Sequence, residues 1–252
     1  MITKLLNQDT ITVAGHRGFK AKYPENTILS YTRALELGVD MLEIDLNMTR
    51  DKEIVLIHDR TVDRTTNGTG AIRDFSLAEI KQLDAGGWFS PEFRDLRIPT
   101  LQELIDLLKD YPNILLNVEI KDRTHEMVDA TMALLNREGL MDRCVFTCFD
   151  AAIVGYMYDK YDAKTQGFPG FKMDNFVEGE GGTYSKMWAV GIEMSLLTPE
   201  LVKEFKDRGI LAWSYCPNDD AQVEKSLECG VTLMTCDNPE PALRILKARG
   251  LR

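Results

Sequence analysis

The 252-residue sequence has five cysteines, at 144, 148, 216, 229 and 236, and no two of them stand in a CxxC pair. An odd total without such a pair offers neither a disulfide framework nor a zinc site, and a reduced cytoplasm is the expected setting. No run of eighteen apolar residues occurs, which excludes a transmembrane helix and stable membrane insertion. Met1 to Thr10 lacks an apolar core of signal-peptide length, and any leader ahead of Met1 lies outside this sequence. Positive charge is scarce: 30 Lys and Arg face 40 Asp and Glu, a net charge of −10. That balance argues against a nucleic-acid binder or a general membrane-surface binder, since both need basic patches. An anionic substrate would have to find its positive charge locally. Histidine is scarcer still, with three in the chain.

What is present reads as a soluble globular protein, 44% hydrophobic and 28% charged. β-like runs fall near 11–15, 41–47, 54–58, 115–120, 143–147, 164–168, 188–193, 210–215 and 231–235. Amphipathic helical patterns occupy Thr27 to Leu37, with Asn26 or Thr27 as N-cap and Gly38 placed to end it, and 100–110, 125–138, 199–208, 219–229 and 239–249. Only a few residues separate the second and third β-runs, too few for a parallel crossover, so these two should form a hairpin. Eight strands then remain in a largely β-then-α order. This predicts an α/β TIM barrel, a single domain over 1–252. The interval from Arg60 to Pro99 is too long for an ordinary βα loop and reads as a small capping insertion after the second strand and hairpin. A second irregular segment, Phe168 to Lys186, carries Phe171, Phe176 and Tyr184.

Two strands point polar side chains where a barrel strand points inward. In Met41-Leu42-Glu43-Ile44-Asp45-Leu46, period-two alternation sets Leu42, Ile44 and Leu46 opposite Glu43 and Asp45. Leu116-Asn117-Val118-Glu119-Ile120-Lys121 repeats the arrangement with Asn117, Glu119 and Lys121. Pairing Thr49 with Ile54 across the hairpin places Asp45 opposite His58. Barrel active sites lie at the C-terminal strand ends, where the sequence puts His16-Arg17, Glu43 and Asp45, His58-Asp59, Glu119 and Lys121, and Trp213. Two of the three histidines fall in this set, and His125 opens a helix as a surface residue.

The segments His16-Arg17-Gly18, Pro24-Glu25-Asn26-Thr27, Glu43-Ile44-Asp45-Leu46, His58-Asp59, Arg64-Thr65-Thr66-Asn67-Gly68, Asp84-Ala85-Gly86, Pro99-Thr100-Leu101 and Asn117-Val118-Glu119-Ile120-Lys121 follow one another over residues 13 to 121. In this order the chain resembles the glycerophosphodiester phosphodiesterase family, among the phospholipase C-like phosphodiesterase barrels. Ala212-Trp213-Ser214 and Thr235-Cys236-Asp237-Asn238-Pro239 match more loosely. The resemblance implies that Glu43, Asp45 and Glu119 bind a divalent metal, that His16 and His58 are the acid and base, that Arg17 and Lys121 hold phosphate oxygens, and that Trp213 walls the glycerol unit. Side-chain chemistry agrees. Three carboxylates without cysteine form a hard oxygen site for one divalent cation, Mg²⁺ or Ca²⁺. Two histidines can divide proton removal and delivery near neutral pH.

The expected activity is hydrolysis of a small-molecule glycerophosphodiester to sn-glycerol 3-phosphate and an alcohol such as choline, ethanolamine or glycerol, with 168–186 helping to choose the alcohol. A lysophospholipase D on the same barrel is the nearest alternative, and a non-catalytic metal- or phosphate-binding module comes from a different class. Neither the oligomeric state nor the choice between Mg²⁺ and Ca²⁺ is encoded in these features.

Overall fold

The computed structural model describes residues 2–7 and 9–252. Its strands are β1 (Thr12–His16), β2 (Met41–Met48), β3 (Ile54–Leu56), β4 (Leu115–Ile120), β5 (Cys144–Thr147), β6 (Thr165–Gly167), β7 (Ala189–Glu193), β8 (Leu211–Tyr215) and β9 (Leu233–Cys236). Every expected β-run is a strand. The sheet runs β1-β9-β8-β7-β6-β5-β4-β2-β3 and closes through a β1–β2 pairing, so eight parallel strands form a barrel with β3 antiparallel on β2. Leu42, Ile44, Leu46, Leu116, Val118 and Ile120 face outward into the core shared with the helices, all at most 1% exposed. Burying each such side chain contributes about 1.5–3 kcal/mol, which pins the strands' facing and turns Glu43, Asp45 and Glu119 into the bore.

The helices are α1 (Ile28–Leu37), α2 (Leu77–Ile80), α3 (Leu101–Leu107), α4 (His125–Arg137), α5 (Ala151–Tyr161), α6 (Pro199–Asp207), α7 (Asp220–Cys229) and α8 (Glu240–Arg249). At α1 the cap is Thr27, whose Oγ1 accepts from Ser30 N, and Gly38 ends the helix in the left-handed region at φ 92°. α5, capped by Asp150, was not among the expected helices. Its stretch is apolar nearly all round, so no clean stripe marks it. Between β6 and β7 the chain makes only two short 3₁₀ turns, Gly170–Lys172 and Thr183–Lys186, in place of a crossover helix.

The hairpin register differs from expectation by one residue. Leu46 pairs with Leu56 and Met48 with Ile54, which puts Ile57 rather than His58 across from Asp45. The cause is the turn: Thr49 N donates to Glu53 O, and Lys52 takes a positive φ of 69°, closing a three-residue loop where pairing Thr49 with Ile54 would leave four residues. The regular strand stops at Leu56, two residues before His58, so the shifted register does not carry His58 to the wrong face.

A short 3₁₀ helix, Ile2–Leu6, places Ile2 and Leu5 against Ala14, Met41, Leu115, Val145, Ala189, Trp213 and Leu233, closing the N-terminal end of the bore with apolar side chains. The insertion after β3 has a small core of its own, in which Val62, Ile72, Ile80, Ala85 and Ile98 pack on Val55 and Ile57. A capping box at Ser76 and Glu79 starts α2 within it. This unit flanks one side of the barrel mouth, with Phe93 edge-on to Tyr23 from the loop after β1.

Candidate active site

At the C-terminal end of the barrel, β1, β2 and β4 bring four of the expected groups onto adjacent strands. The register aligns His16 with Glu43 and Asp45 with Glu119. Glu43, Asp45 and Glu119 are 4%, 0% and 8% exposed, and each offers a carboxylate oxygen within 4.8 Å of the others. Past β1 the chain turns sharply: Arg17 sits at φ 55° and Gly18 at φ 87°. A Cβ on Gly18 would stand 2.4 Å from Ser30 Oγ, so the turn needs glycine there. It aims the Arg17 backbone N–H at Glu43 Oε2, 3.0 Å away, and swings the guanidinium inward.

Positive charge is concentrated here despite the net negative chain. Arg17 Nε lies 3.1 Å from Asp45 Oδ2 and Lys121 Nζ lies 3.3 Å from Asp45 Oδ1 and 2.5 Å from Glu119 Oε1. Asn26 Nδ2 donates to Asp45 Oδ2 at 2.8 Å and is itself oriented by the Tyr31 hydroxyl. Burial would raise the Asp45 pKa, yet Lys121 and Arg17 overcome it and hold the carboxyl well below its ordinary value. Glu43 goes the other way: burial, then the charges of Asp45 and Glu119, push its carboxyl well up. Burial also raises Glu119, partly offset by Lys121. The cluster thus carries one carboxylate more than its cations balance. Glu43 Oε1 is buried with no hydrogen-bond partner, and Asp45 Oδ1 has only the Lys121 ammonium at 3.3 Å. A surplus of buried oxygen acceptors around one point is what a hard divalent cation needs, so the residues fit such an ion.

Both histidines are tied at Nδ1 to a carboxylate. His16 Nδ1 lies 2.5 Å from Asp237 Oδ1, and His58 Nδ1 lies 2.7 Å from Asp59 Oδ1. Each Nε2 is left to the site, that of His16 being 3.8 Å from Glu43 Oε2. Burial lowers the His16 pKa to about 4 against the opposing pull of Asp237, and burial lowers that of His58 against Asp45. The supporting carboxylates are braced in turn. Asn218 contacts Asp237 through side chain and backbone, and Arg64 of the insertion binds Asp59 and Glu25, the latter also holding Arg17.

A cavity of about 140 Å³ opens among these groups, lined by His16, Arg17, Glu43, His58, Glu119 and Lys121 on one side and by Phe149, Phe168, Trp213 and Tyr215 on the other. Phe149 and Phe168 stack with centroids 3.6 Å apart, and Tyr215 meets Phe168 edge-on. Trp213 is 2% exposed and belongs to the base of the bore as well as to the cavity, a deeper position than a wall at the strand end. No residue of the insertion lines the cavity. From 168–186 Phe168 lines it, whereas Phe171, Phe176 and Tyr184 surround a separate outer depression with Arg208. The surface reading of His125 agrees with the structure: it stacks on Tyr156, outside this cavity.

Residues 16–241 match the glycerophosphoryl diester phosphodiesterase family. The chain belongs to that family. Among curated relatives it is 32% identical to the glycerophosphodiester phosphodiesterase of Caldanaerobacter subterraneus subsp. tengcongensis, over 94% of this chain and 98% of the relative. It is 29% identical to that of Bacillus subtilis, over 94% and 86%. A solved Oleispira antarctica phosphodiesterase in complex with the product sn-glycerol-3-phosphate superposes at a TM-score of 0.83, with 25% identity over 94% of this chain and 97% of that one. A glycerophosphoryl diester phosphodiesterase family enzyme thus occupies this barrel. Asp59, Arg64 and Asp237 lie within motifs quoted above, but sequence assigned them no role. Their signal was faint: Asp237 continues the Leu233, Thr235 alternation of β9 one step past the strand end. Gln166 and Thr147, which also line the cavity, carried no signal at all.

Proposed function

We propose that this enzyme hydrolyses small glycerophosphodiesters to sn-glycerol 3-phosphate and an alcohol, using His16 and His58 for proton transfer and Glu43, Asp45 and Glu119 to hold one Mg²⁺ or Ca²⁺. The observation that carries the reading is the convergence of two carboxylate-tethered histidines, two cations, Glu43 and Glu119 on one cavity, with Asp45 buried against the two glutamates. Bound there, the cation would neutralise the diester anion and polarise it toward attack. Arg17 and Lys121 add N–H donors for the non-bridging phosphate oxygens. With a carboxylate accepting from Nδ1, each imidazole presents Nε2, so one histidine takes the proton of the attacking hydroxyl and the other gives one to the departing alcohol oxygen. The attacking group is assigned to the glycerol hydroxyl beside the phosphoester, because an intramolecular nucleophile can reach effective molarities of about 10⁵ M or more. Water then opens the cyclic phosphate with the histidines in exchanged roles.

The bore is closed at its base by apolar side chains, so no acyl chain could pass through it, which supports a water-soluble diester over a lysophospholipid. Among the described residues no helix is long and apolar enough to cross a membrane, and all five cysteines are free thiols, as a reducing compartment would keep them. The deciding experiment is release of sn-glycerol 3-phosphate from a panel of diesters, in chelator and after adding back Mg²⁺ or Ca²⁺. Activity should vanish in chelator and return with the ion. Full turnover by metal-stripped enzyme would overturn the assignment.

A further inference from the structure

His16 stands between two clusters of metal-ligating groups, and the reaction above uses one of them. Its Nε2 lies 3.8 Å from Glu43 Oε2, on the side of the three carboxylates. Its Nδ1 lies 2.5 Å from Asp237 Oδ1 and 3.3 Å from Cys216 Sγ. Imidazole, thiol and carboxylate each offer one ligand atom, and the three atoms lie within 4.8 Å of one another. They come from the C-terminal ends of neighbouring barrel strands: His16 closes β1, Asp237 follows β9 and Cys216 follows β8. All three are partly exposed, so solvent reaches the cluster. Asp237 is held from behind, because Asn218 Nδ2 donates to its Oδ2 at 3.4 Å and Asn218 Oδ1 accepts from its backbone N–H at 2.8 Å. Metal-ligating carboxylates are commonly oriented by such an outer partner.

The donor set decides the ion. A thiolate with an imidazole nitrogen suits a borderline-soft ion such as Zn²⁺, which takes sulfur, nitrogen and carboxylate oxygen in tetrahedral array, whereas the all-oxygen cluster of Glu43, Asp45 and Glu119 suits a hard ion. At bond lengths of about 2.0–2.3 Å, tetrahedral ligand atoms stand about 3.3–3.6 Å apart. Cys216 Sγ and His16 Nδ1 already have that separation, and Asp237 has to retreat by less than about 1 Å as the ion takes the place of the proton it shares with Nδ1. Lys20 Nζ, 3.3 Å from Asp237 Oδ1, is the cation displaced. Cys216 is no nucleophile beside His16, because burial pushes its thiol well above the ordinary value. We propose that His16 Nδ1, Cys216 Sγ and Asp237 form an inhibitory site for Zn²⁺, separate from the carboxylate site, whose occupation takes the His16 imidazole out of proton transfer. On binding, the thiol proton goes to solvent, the imidazole proton moves from Nδ1 to Nε2, and water fills the fourth tetrahedral position. With Nε2 protonated and Nδ1 on the ion, His16 can no longer accept a proton. The binding stands on these three residues alone; the inhibition rests on the activity proposed above.

Two titrations test the site. In the first, Co²⁺ replaces Zn²⁺ as a visible probe and is added to enzyme supplied with Mg²⁺ or Ca²⁺. Wild type should show a thiolate-to-cobalt charge-transfer band that is bleached by Zn²⁺, and Cys216→Ala and Cys216→Ser should lack it. In the second, Zn²⁺ is titrated into a glycerophosphocholine assay at saturating Mg²⁺ or Ca²⁺. Wild-type kcat should fall by about 10²-fold, as loss of an acid–base group does, and further Mg²⁺ or Ca²⁺ should not restore it. Either Cys216 variant should keep its rate without Zn²⁺ and need at least about 10-fold more Zn²⁺ for half-inhibition. Alkylation reads the site without a variant: the other four cysteines are buried, so iodoacetamide should label Cys216 first and Zn²⁺ should protect it. No band in wild type, a band that persists in both variants, or a Cys216 that Zn²⁺ leaves unprotected would overturn the site. Inhibition that is equal in wild type and variants and relieved by Mg²⁺ or Ca²⁺ would put Zn²⁺ on the carboxylates and overturn it too. An enzyme that shows the band but cleaves no diester would keep the site and remove the activity proposed above.

Discussion

Glu43 and Asp45 are two residues apart on one strand, both buried and both in the proposed cation site, yet removing their charges should have opposite effects on the metal-free protein. Glu43 faces Asp45 and Glu119 with oxygens within 4.8 Å, and its Oε1 has no hydrogen-bond partner. At an effective dielectric of about 20, each such like-charge pair costs about 3 kcal/mol, which explains why the Glu43 carboxyl is pushed toward its neutral form. Glu43→Gln imitates that form and still offers an oxygen to the Arg17 N–H, so its melting temperature in chelator should equal or exceed that of wild type. Asp45 instead lies between Arg17 Nε at 3.1 Å and Lys121 Nζ at 3.3 Å, with Asn26 donating at 2.8 Å. Asp45→Asn strands those buried cations at a cost of about 3–5 kcal/mol. For a chain of this size that lowers the melting temperature on the order of 10 °C. Calorimetric melts in chelator, repeated with Mg²⁺ or Ca²⁺, separate the two effects. Wild type should gain about 2.7 kcal/mol at one hundred times the dissociation constant, and both variants should lose most of that gain. A Glu43→Gln protein that melts in chelator as low as Asp45→Asn, or either variant showing the full cation shift, would refute the reasoning.

Replacing His16 or His58 by Ala should lower kcat by about 10²-fold or more with the fold intact, and His125→Ala should change it little; steady-state rates on glycerophosphocholine check this. A diester whose C2 hydroxyl is replaced by hydrogen should bind but resist cleavage if that hydroxyl is the nucleophile, and cleavage near the parent rate would assign the attack to water. Although burial opposes it, Arg64 and His58 hold the Asp59 pKa at about 2, below the ordinary aspartate value. A depressed carboxyl pKa contributes stability above the unfolded value and loses it as pH falls through the folded one. Denaturant melts should therefore show wild type more stable than Asp59→Asn at pH 5, with the gap narrowing as pH is lowered from about 4 toward 2.

The barrel and most of the candidate site were legible in the residue pattern, because both rest on periodicities that burial enforces locally. Outward Leu and Ile alternating with Glu and Asp on β2 and β4 settle which side chains enter the bore, whatever the distant parts of the chain do. The C-terminal strand ends then collect His16, Glu43, Asp45 and Glu119 without further information. Three matters were decided by tertiary structure. The hairpin register turned on Lys52 adopting a left-handed conformation, a choice made by loop closure that residue pattern leaves open. Helix α5 is apolar on nearly every face through its first eight residues and has no polar stripe to advertise it. The partners of the two histidines come from very different chain distances. Asp59 is adjacent to His58, while Asp237 reaches His16 across 221 residues because β9 closes the barrel onto β1. Gln166 was invisible for the same reason. It stands on the three-residue strand β6, and only closure of the ring, with Asn117 donating to its Oε1 and Gly191 against its Nε2, gives its amide a direction.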